Sequence, residues 1–259
     1  MASPDSQTIE LDREFLDTVT FHGREYQKYS IDNRTYFGPV DEEEAERLED
    51  EQQVTGVDIA PHMNPDDVPD NLWLQVDDLN RRFTFPSHHF DLVHSRLLAT
   101  GIHRTRWPSY LRDIVRVLKP GGWAQMVEIY FNVQSDNGSL NDDHALRRWS
   151  THYMRALDDR KDLRIGSKLR MLMTEAGFEE VDTKMIPLPL SSWGDARTQS
   201  IGRSSHENIK QLLRSLALYP LIQRLHMSPQ SFEALVTQAQ QEAADHTLKP
   251  YFPLYVPPH

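Results

Sequence analysis

The residues best suited to chemistry stand at the ends of predicted strands. The apolar run VTGVDI carries Asp58 at the place where an α/β fold brings a carboxylate to the ribose hydroxyls of a nucleotide-type cofactor. A second apolar run, FDLVH, ends on His94. Ligands of open α/β sheets collect at the carboxyl ends of strands, and an imidazole there can act as a general base near neutral pH. The alternatives are a carboxylate that caps a turn and a buried structural histidine.

The glycine-rich loop that usually accompanies such an acid is absent. In an open α/β fold this loop lies roughly 20 residues before the acid, between the first strand and the first helix. Here that place holds TYFGPVDEEEAERLEDEQQ, which has one glycine and no strand pattern. The other upstream glycines, Gly23 and Gly56, also lie outside a strand–loop–helix context. The sequence therefore offers no backbone amides to the far end of such a cofactor.

Composition limits the class of protein. The 259 residues, 38% of them hydrophobic, suit one globular domain or one domain with a cap. A net charge of -11 disfavours nucleic acid and anionic lipid as partners. The absence of cysteine excludes disulfides, thiolate metal ligands and a cysteine nucleophile. Without an apolar N-terminal core or a run of roughly 18 apolar residues, we expect a cytoplasmic protein, with the nucleus as the alternative location, and no membrane contact.

Short apolar runs alternate with amphipathic helix patterns after a polar N-terminal segment. An acidic helix is predicted over 41–53, with Asp41 and Glu44 as a capping pair. Strands are predicted over 54–59, 72–76, 90–94 and 123–131. Helices are predicted from Pro108 to about Leu118, from about 167 to Gly177, over 205–226 and over 229–245. This order is typical of a mostly parallel sheet with helices on its faces, an α/β fold.

Residues 54–188 resemble the class I S-adenosylmethionine-dependent methyltransferases. VTGVDIAP is similar to their second strand with its ribose-binding acid. LQVDDLNRRFTFPSHHFDLVHSRLL is similar to the adenine-side acidic pair followed by the fourth strand, and VLKPGGWAQMVEI to the lead-in to the fifth. The flanks HGREYQKYSIDNRTYFGPVDEEEAERL, LPLSSWGD and LKPYFPLYVPP resemble the fungal branch that serves secondary metabolism and its global regulation.

The resemblance implies a role for each strand-end residue, with S-adenosyl-L-methionine as the cofactor. It implies that Asp58 binds the ribose, that Asp77 takes the exocyclic amine of adenine and that Asp78 contributes its backbone amide. A solvated turn is the alternative for the last two. Three residues after the fourth strand complete the expected cofactor contacts: His94, Ser95 and Arg96. The histidine is also the candidate catalytic residue.

The resemblance also defines what is missing. Members of the branch place a first strand and a glycine-rich loop before the GVD strand, whereas this chain runs directly from Gln53 to Val54. Either the gene has lost about 40 residues, consistent with a strand–helix unit of roughly 30 or more, or the sequence reflects a mis-spliced transcript or a faulty gene model. Because the missing strand is central, the strands that begin at Val54 and Phe90 must meet directly or recruit a substitute, for which residues 18–31 have a β-type composition.

The expected architecture is therefore α/β, a Rossmann-like methyltransferase sheet that lacks its usual first strand and carries a helical C-terminal cap. We expect an N-terminal lid and acidic helix over 1–53 and a methyltransferase-like domain over 54–259. The helical cap is expected at about 195–245.

Other residues carry open alternatives. The adjacent His88 and His89 supply no ligand set, so no metal site is expected. One loop either contacts an anion or aromatic substrate or forms a solvated surface, and it contains His103, Arg104, Arg106 and Trp107. Four further side chains either pack in the core or cap or line an apolar substrate pocket: Trp149, His152, Tyr153 and Trp193.

Three functions fit these features. The first is a methyltransferase-like protein of fungal secondary-metabolite biosynthesis that acts on or assists an aromatic small-molecule intermediate, alongside pathway enzymes, with binding of S-adenosylmethionine weakened or lost. The second is an active S-adenosylmethionine-dependent O- or N-methyltransferase. The third is a regulatory interaction protein of secondary metabolism. The chain also resembles the methyltransferase-like accessory proteins expected in bisindolylquinone-type clusters, which would make it a pseudoenzyme.

Overall fold

The computed structural model describes residues 16–34, 39–43, 53–60 and 68–256. The chain divides into two compact units, Met1–Asp78 and Leu79–His259. Most of the acidic helix predicted over 41–53, including Glu44 of its capping pair, lies outside the described residues.

The first unit begins with a hairpin. Strands β1 (Thr18–Phe21) and β2 (Arg24–Gln27) pair antiparallel, and the short helix α1 (Lys28–Asn33) follows directly. The Arg24 guanidinium donates to both carboxylate oxygens of Asp41, at 2.7 and 2.8 Å. This segment was the predicted substitute for the missing strand, and it pairs with itself instead because its tight turn lets each strand satisfy the other.

The same unit contains a parallel pair of strands. Strands β3 (Val54–Asp58) and β4 (Leu72–Val76) pair along their whole length, with Asp58 opposite Val76. Both strands occur where the sequence predicts them. Their parallel register places their carboxyl ends at the same edge.

The second unit is built on a five-stranded sheet in the order β5-β6-β9-β7, with β8 also paired to β9. Its strands are β5 (Phe90–Arg96), β6 (Leu118–Ile129), β7 (Gln134–Ser135), β8 (Lys184–Pro189) and β9 (Pro250–Val256). Strand β6 pairs parallel with β5, whereas β9 pairs antiparallel with β6, β7 and β8. The predicted α/β class is confirmed, although only part of the pairing is parallel.

The helices of this unit follow the predicted order. They are α2 (Trp107–Val117), α3 (Ala145–Leu157), α4 (Leu169–Ala176), α5 (Ala196–Tyr219) and α6 (Pro229–Ala244). Helix α4 ends at Gly177, whose φ of 106° is the left-handed cap conformation. Helix α5 begins earlier than predicted because the Asp195 carboxylate accepts the Thr198 amide at 2.8 Å and caps it. Among the described residues, no helix combines the length and apolar character needed to cross a membrane.

Strand β5 has one paired neighbour among the described residues, β6, and β3 has one, β4. We expected the strands that begin at Val54 and Phe90 to meet directly or to take up a strand from residues 18–31. In the part of the chain that the structure describes, β1 pairs with β2, β3 with β4 and β5 with β6.

Strand β9 was not predicted. Its sequence, PYFPLYV, contains two prolines, which lack the amide donor and argue against a strand with neighbours on both sides. The proline carbonyls still accept hydrogen bonds: Pro253 from the Tyr130 amide at 2.9 Å and Pro250 from the Leu190 amide at 3.0 Å. A proline-containing strand is thus accommodated in the sheet through its acceptors.

An aromatic cluster forms the centre of the second unit. The rings of Trp149 and Tyr153 stack with centroids 5.1 Å apart, and both side chains are buried. The Trp149 Nε1 donates to the Leu213 carbonyl at 2.8 Å, and the Trp193 Nε1 donates to the Pro250 carbonyl at 3.0 Å. These indoles and the Tyr153 ring therefore pack in the core, which favours the core alternative over a pocket lining.

Helix α3 is capped by another helix. Its N-cap residue, His144, makes no capping bond through its side chain. The Glu242 carboxylate of α6 instead accepts the amides of Ala145 at 3.0 Å and Leu146 at 2.7 Å. A carboxylate at this position also interacts favourably with the positive end of the helix dipole.

We expect Glu242→Ala to lower the free energy of unfolding by about 1–3 kcal/mol, since two amides in the first turn of α3 lose their acceptor. Urea unfolding followed by circular dichroism measures the change. The matched control is Glu233→Ala in the same helix, which removes an exposed pair with Arg214 and should leave the midpoint nearly unchanged. Equal effects of the two substitutions would contradict the capping role.

Candidate functional site

Two of the predicted acids meet where β3 and β4 end. The Asp77 amide donates to the Asp58 carbonyl at 3.2 Å, so the two residues lie side by side at the carboxyl edge of the pair. The Asp58 side chain is exposed, and its Oδ1 accepts the Ala60 amide at 2.8 Å. Each acid can offer a carboxylate oxygen to a ribose hydroxyl or an exocyclic amine, but Asp58 also serves as a turn cap.

The half-buried Asp78 amide has a partner within the chain. It donates to Oδ1 of Asp77 at 2.8 Å. The family resemblance gives this amide to adenine, whereas here it closes a local turn. An adenine ring at this edge would have to compete with that bond.

The described residues upstream of Asp58 do not provide a phosphate- or carboxylate-binding loop. Gly56 lies inside β3, where an added Cβ would come 2.7 Å from Cδ2 of Leu74. Gly23 lies in the turn of the β1–β2 hairpin, with φ of 86°. Neither residue begins a helix or exposes consecutive amides, and Gly38 lies outside the described residues. The described part of the first unit thus presents carboxylates at the end of β3 and β4 but no glycine loop.

The second unit holds the other three predicted residues at the end of β5. The exposed His94 has Nδ1 2.7 Å from Oε1 of Gln125 on β6. A proton on Nδ1 satisfies that amide oxygen, which leaves Nε2 as the basic nitrogen of a neutral ring. Arg96 is exposed, and Ser95 is buried with its Oγ 2.9 Å from the Tyr110 hydroxyl. His94 and Arg96 can therefore meet a ligand, whereas Ser95 is a packing residue.

Glu128 lies beside this strand end and was not singled out by the sequence. Its carboxylate is buried and accepts two successive amides, Leu98 at 2.8 Å and Ala99 at 3.0 Å. These amides belong to the turn that follows β5, in which Leu97 has a φ of 57°. Glu128 thus stabilises the turn that follows β5. An acid near the end of an apolar strand pattern was the signal that could have revealed it.

Burial sets the protonation behaviour around this strand end. Burial raises the pKa of Glu128 from 4.5 to about 7, although its bonds to the Leu98 and Ala99 amides lower it. Burial likewise raises the pKa of Tyr110 to about 12, with the Ser95 hydrogen bond acting in the opposite direction. Glu128 therefore titrates near neutral pH.

The loop that precedes α2 has a structural role. The Arg106 side chain is nearly buried, forms an ion pair with Asp113 and donates through Nε to the Leu79 carbonyl at 3.1 Å. Trp107 is buried at the start of the helix. These contacts use the guanidinium within the fold, so an anion-binding role for Arg106 is not supported.

His88 Nδ1 lies 3.2 Å from the Leu118 carbonyl. In the described ranges, no three His, Cys, Asp or Glu side chains group as metal ligands.

Comparison with known proteins shows that part of the chain is similar to methyltransferase domains. Residues 38–122 match the family model described as a methyltransferase domain. The secondary metabolism regulator laeA of Aspergillus niger is 28% identical over 207 residues, covering 78% of this chain and 54% of that protein. The protein-methionine methyltransferase laeA of Chaetomium globosum is 29% identical over 157 residues, covering 58% of this chain and 49% of that protein. The chain is methyltransferase-like and related to fungal regulators of secondary metabolism, and it spans about half the length of these relatives.

Similarity to solved structures is weak. The [4+2]-cyclase SpnF is 17% identical with a TM-score of 0.42, covering 82% of this chain and 70% of its own. The phosphoethanolamine N-methyltransferase 2 of Haemonchus contortus, solved with S-adenosyl-L-methionine, is 19% identical with a TM-score of 0.43, covering 82% of this chain and 44% of its own.

We expect the stability contributed by Glu128 to fall as pH rises. Because its folded pKa of about 7 lies above the ordinary value of 4.5, the folded chain retains a proton that the unfolded chain releases. The contribution is fully present below pH 4.5 and is lost as pH rises through about 7, by at most roughly 3 kcal/mol. The difference in unfolding free energy between wild type and Glu128→Gln, measured by urea titration across this range, should show that decline.

The glutamine variant also loses one amide acceptor, which shifts its stability by a constant amount without changing the pH dependence. The control is the exposed Glu175→Gln, whose curve should run parallel to that of the wild type. A pH-independent difference between wild type and Glu128→Gln would show that Glu128 does not titrate as proposed.

Proposed function

We propose that this chain is a methyltransferase-like protein of fungal secondary metabolism that binds S-adenosylmethionine weakly and assists small-molecule biosynthesis instead of transferring a methyl group. The cofactor is the one that a methyltransferase domain implies. The observation that carries the proposal is the direct passage into β3, without a described glycine loop before Asp58. The relationship to fungal regulators supports the setting in secondary metabolism.

Asp58 and Asp77 can contact only the adenosine part of the cofactor. Asp58 and Asp77 lie at one edge and can accept from the ribose and the adenine amine. The methionine carboxylate requires amide donors or a cation, which the described part of the first unit does not offer at that edge. A methyl donor that is not held in line with its acceptor gives little rate enhancement.

An aromatic intermediate as the ligand stays a prediction from the family resemblance. Trp149 and Tyr153 could have lined an apolar pocket, but they are buried in the core. The exposed His94 and Arg96 remain available at the end of β5. They suit a polar or acidic group on such a molecule better than its ring.

A regulatory interaction protein is the second candidate. Leu92 on β5 lies opposite Trp123 on β6, and their side chains are 58% and 72% exposed. Trp73 in the first unit is 74% exposed. Exposed aromatic and aliphatic side chains of this size are typical of surfaces that bind other proteins. A biosynthetic role agrees with the expected cytoplasmic location, and a regulatory role agrees with the nuclear alternative.

We expect S-adenosylhomocysteine to bind the 259-residue chain with a dissociation constant above roughly 1 mM, or about 4 kcal/mol of binding free energy. The physical reason is the missing set of donors for the amino-acid end of the ligand. Isothermal titration calorimetry measures the affinity. Micromolar binding would reject the proposal and support an active methyltransferase.

Three variants sharpen this test. Asp58→Ala and the exposed control Asp70→Ala should both keep the dissociation constant above roughly 1 mM, whereas an intact site would lose affinity in the first variant alone. Insertion of a strand and glycine loop between Gln53 and Val54 should restore binding. A well-folded insertion variant that still fails to bind would show that Asp58 and Asp77 no longer hold adenosine.

Deletion of the gene separates the two candidate functions. For a biosynthetic assistant, one metabolite should be lost or its precursor should accumulate, while transcripts of biosynthetic clusters stay unchanged. For a regulator, transcripts of several clusters should change together. Metabolite profiling and RNA sequencing of the same cultures measure both outcomes. Complementation with Trp123→Ser should fail only if the exposed Leu92–Trp123 pair contacts a partner.

A further inference from the structure

A surface pocket of about 290 Å³ lies in the second unit, away from the strand end described above. It is formed where the segment after β8 meets helix α5 and the turn after helix α6. Its wall includes Ser191, Ser192, Arg203, His206 and His246. This volume is at the lower end of the roughly 300–1,000 Å³ typical of small-molecule sites, so it suits a compact ligand or one group of a larger ligand.

Gly202 brings the two sides of the pocket together. A Cβ at this position would lie 2.1 Å from the Ser191 carbonyl oxygen and 3.0 Å from the Ser192 amide nitrogen. Helix α5 can therefore approach this segment closely only because residue 202 is glycine. The next residues of the same helix, Arg203 and His206, are three apart and face the pocket together.

The segment opposite α5 is held rigidly. The Leu190 amide and the Trp193 indole both donate to the Pro250 carbonyl, at 3.0 Å each. On the third side, the Asp245 carboxylate accepts the Thr247 amide at 2.8 Å and fixes the turn that presents His246. The wall is therefore built on hydrogen-bonded backbone and is largely preformed.

The pocket wall is cationic in an acidic protein. The chain carries 39 acidic and 28 basic residues, yet the residues that line the pocket include one arginine, two histidines and no carboxylate. Two acids lie beside the histidines. Asp245 precedes His246 in the chain, and its pKa is lowered by its hydrogen bonds to Thr247 and by the charge of that histidine. Glu207 lies 3.9 Å from His206 Nε2 and accepts from Lys210 Nζ at 2.9 Å. Its charge is thus partly balanced by the lysine, and Arg203 forms no ion pair with another described residue.

A buried hydroxyl in the wall points to a ligand. The Ser191 side chain is 4% exposed, and its Oγ has no hydrogen-bond partner in the described part of the chain. An unsatisfied buried hydroxyl is unfavourable, and Ser191 lines the pocket. A bound acceptor next to Arg203 would satisfy it.

We infer that this pocket binds a tetrahedral oxyanion, either free phosphate or the phosphate group of a phosphorylated small molecule. Arg203 supplies a planar pair of donors, His206 and His246 supply ring nitrogens, and Ser191 supplies a hydroxyl donor. The site is independent of the proposed weak binding of S-adenosylmethionine, because its lining shares no residue with the ends of β3, β4 and β5.

Isothermal titration at low ionic strength with inorganic phosphate tests the site. We expect a dissociation constant of about 1 mM or below for the wild type. Arg203→Gln should weaken binding about tenfold or more, because it removes charge-assisted hydrogen bonds, and Ser191→Ala should weaken it about threefold or more. Arg197→Gln removes the same charge from the same helix outside the pocket and should stay within about twofold of the wild type.

Phenyl phosphate and acetate complete the experiment. Tighter binding of phenyl phosphate than of inorganic phosphate would assign the site to a phosphorylated small molecule, and equal binding would assign it to the free ion. Absence of phosphate binding by the wild type, equal affinity for acetate, or equal losses in the Arg203→Gln and Arg197→Gln variants would overturn the inference. Thermal melts confirm that each variant is folded.

Discussion

The second unit depends on the pairing of β9 with three other strands. This strand joins β6, β7 and β8, although two of its residues are prolines. The carbonyls of Pro250 and Pro253 provide acceptors where amide donors are missing, and the Pro250 carbonyl also receives the Trp193 indole. The aromatic core, the segment after β8 and the wall of the cationic pocket are therefore fixed by the same strand.

The candidate site residues are distributed over two units. The acids suited to adenosine end a two-stranded parallel pair, whereas His94 and Arg96 end a strand of the five-stranded sheet. In the second unit, the buried carboxylate of Glu128 ties the turn after β5 to the neighbouring strand. Among the described residues, the acids lie at a strand end without a glycine loop, which is the physical basis of our proposal that the chain does not transfer methyl groups efficiently.

The sequence predicted the helices and strands that are defined by the periodicity of neighbouring residues and by the residues at their ends. The strand that ends at Asp58, the helix that ends at Gly177 and the strand that ends near His94 all follow from short-range periodicity and terminal residues. Periodicity does not encode which partner a strand takes, so it did not predict that β1 and β2 pair with each other. It also does not encode contacts between residues distant in sequence, such as the capping of α3 by Glu242. The candidate acids were located correctly at strand ends, but the turn bonds that occupy them required coordinates.

The exposed Leu92–Trp123 pair on β5 and β6 has a consequence for the protein in solution. Large apolar side chains that lie together on an exposed sheet surface promote self-association. The net charge of -11 opposes that association through mutual repulsion between molecules, and salt screens this repulsion over a Debye length of about 10 Å at 0.1 M. Colloidal stability should therefore decrease as ionic strength rises, so that concentrated samples remain monodisperse longest in dilute buffer.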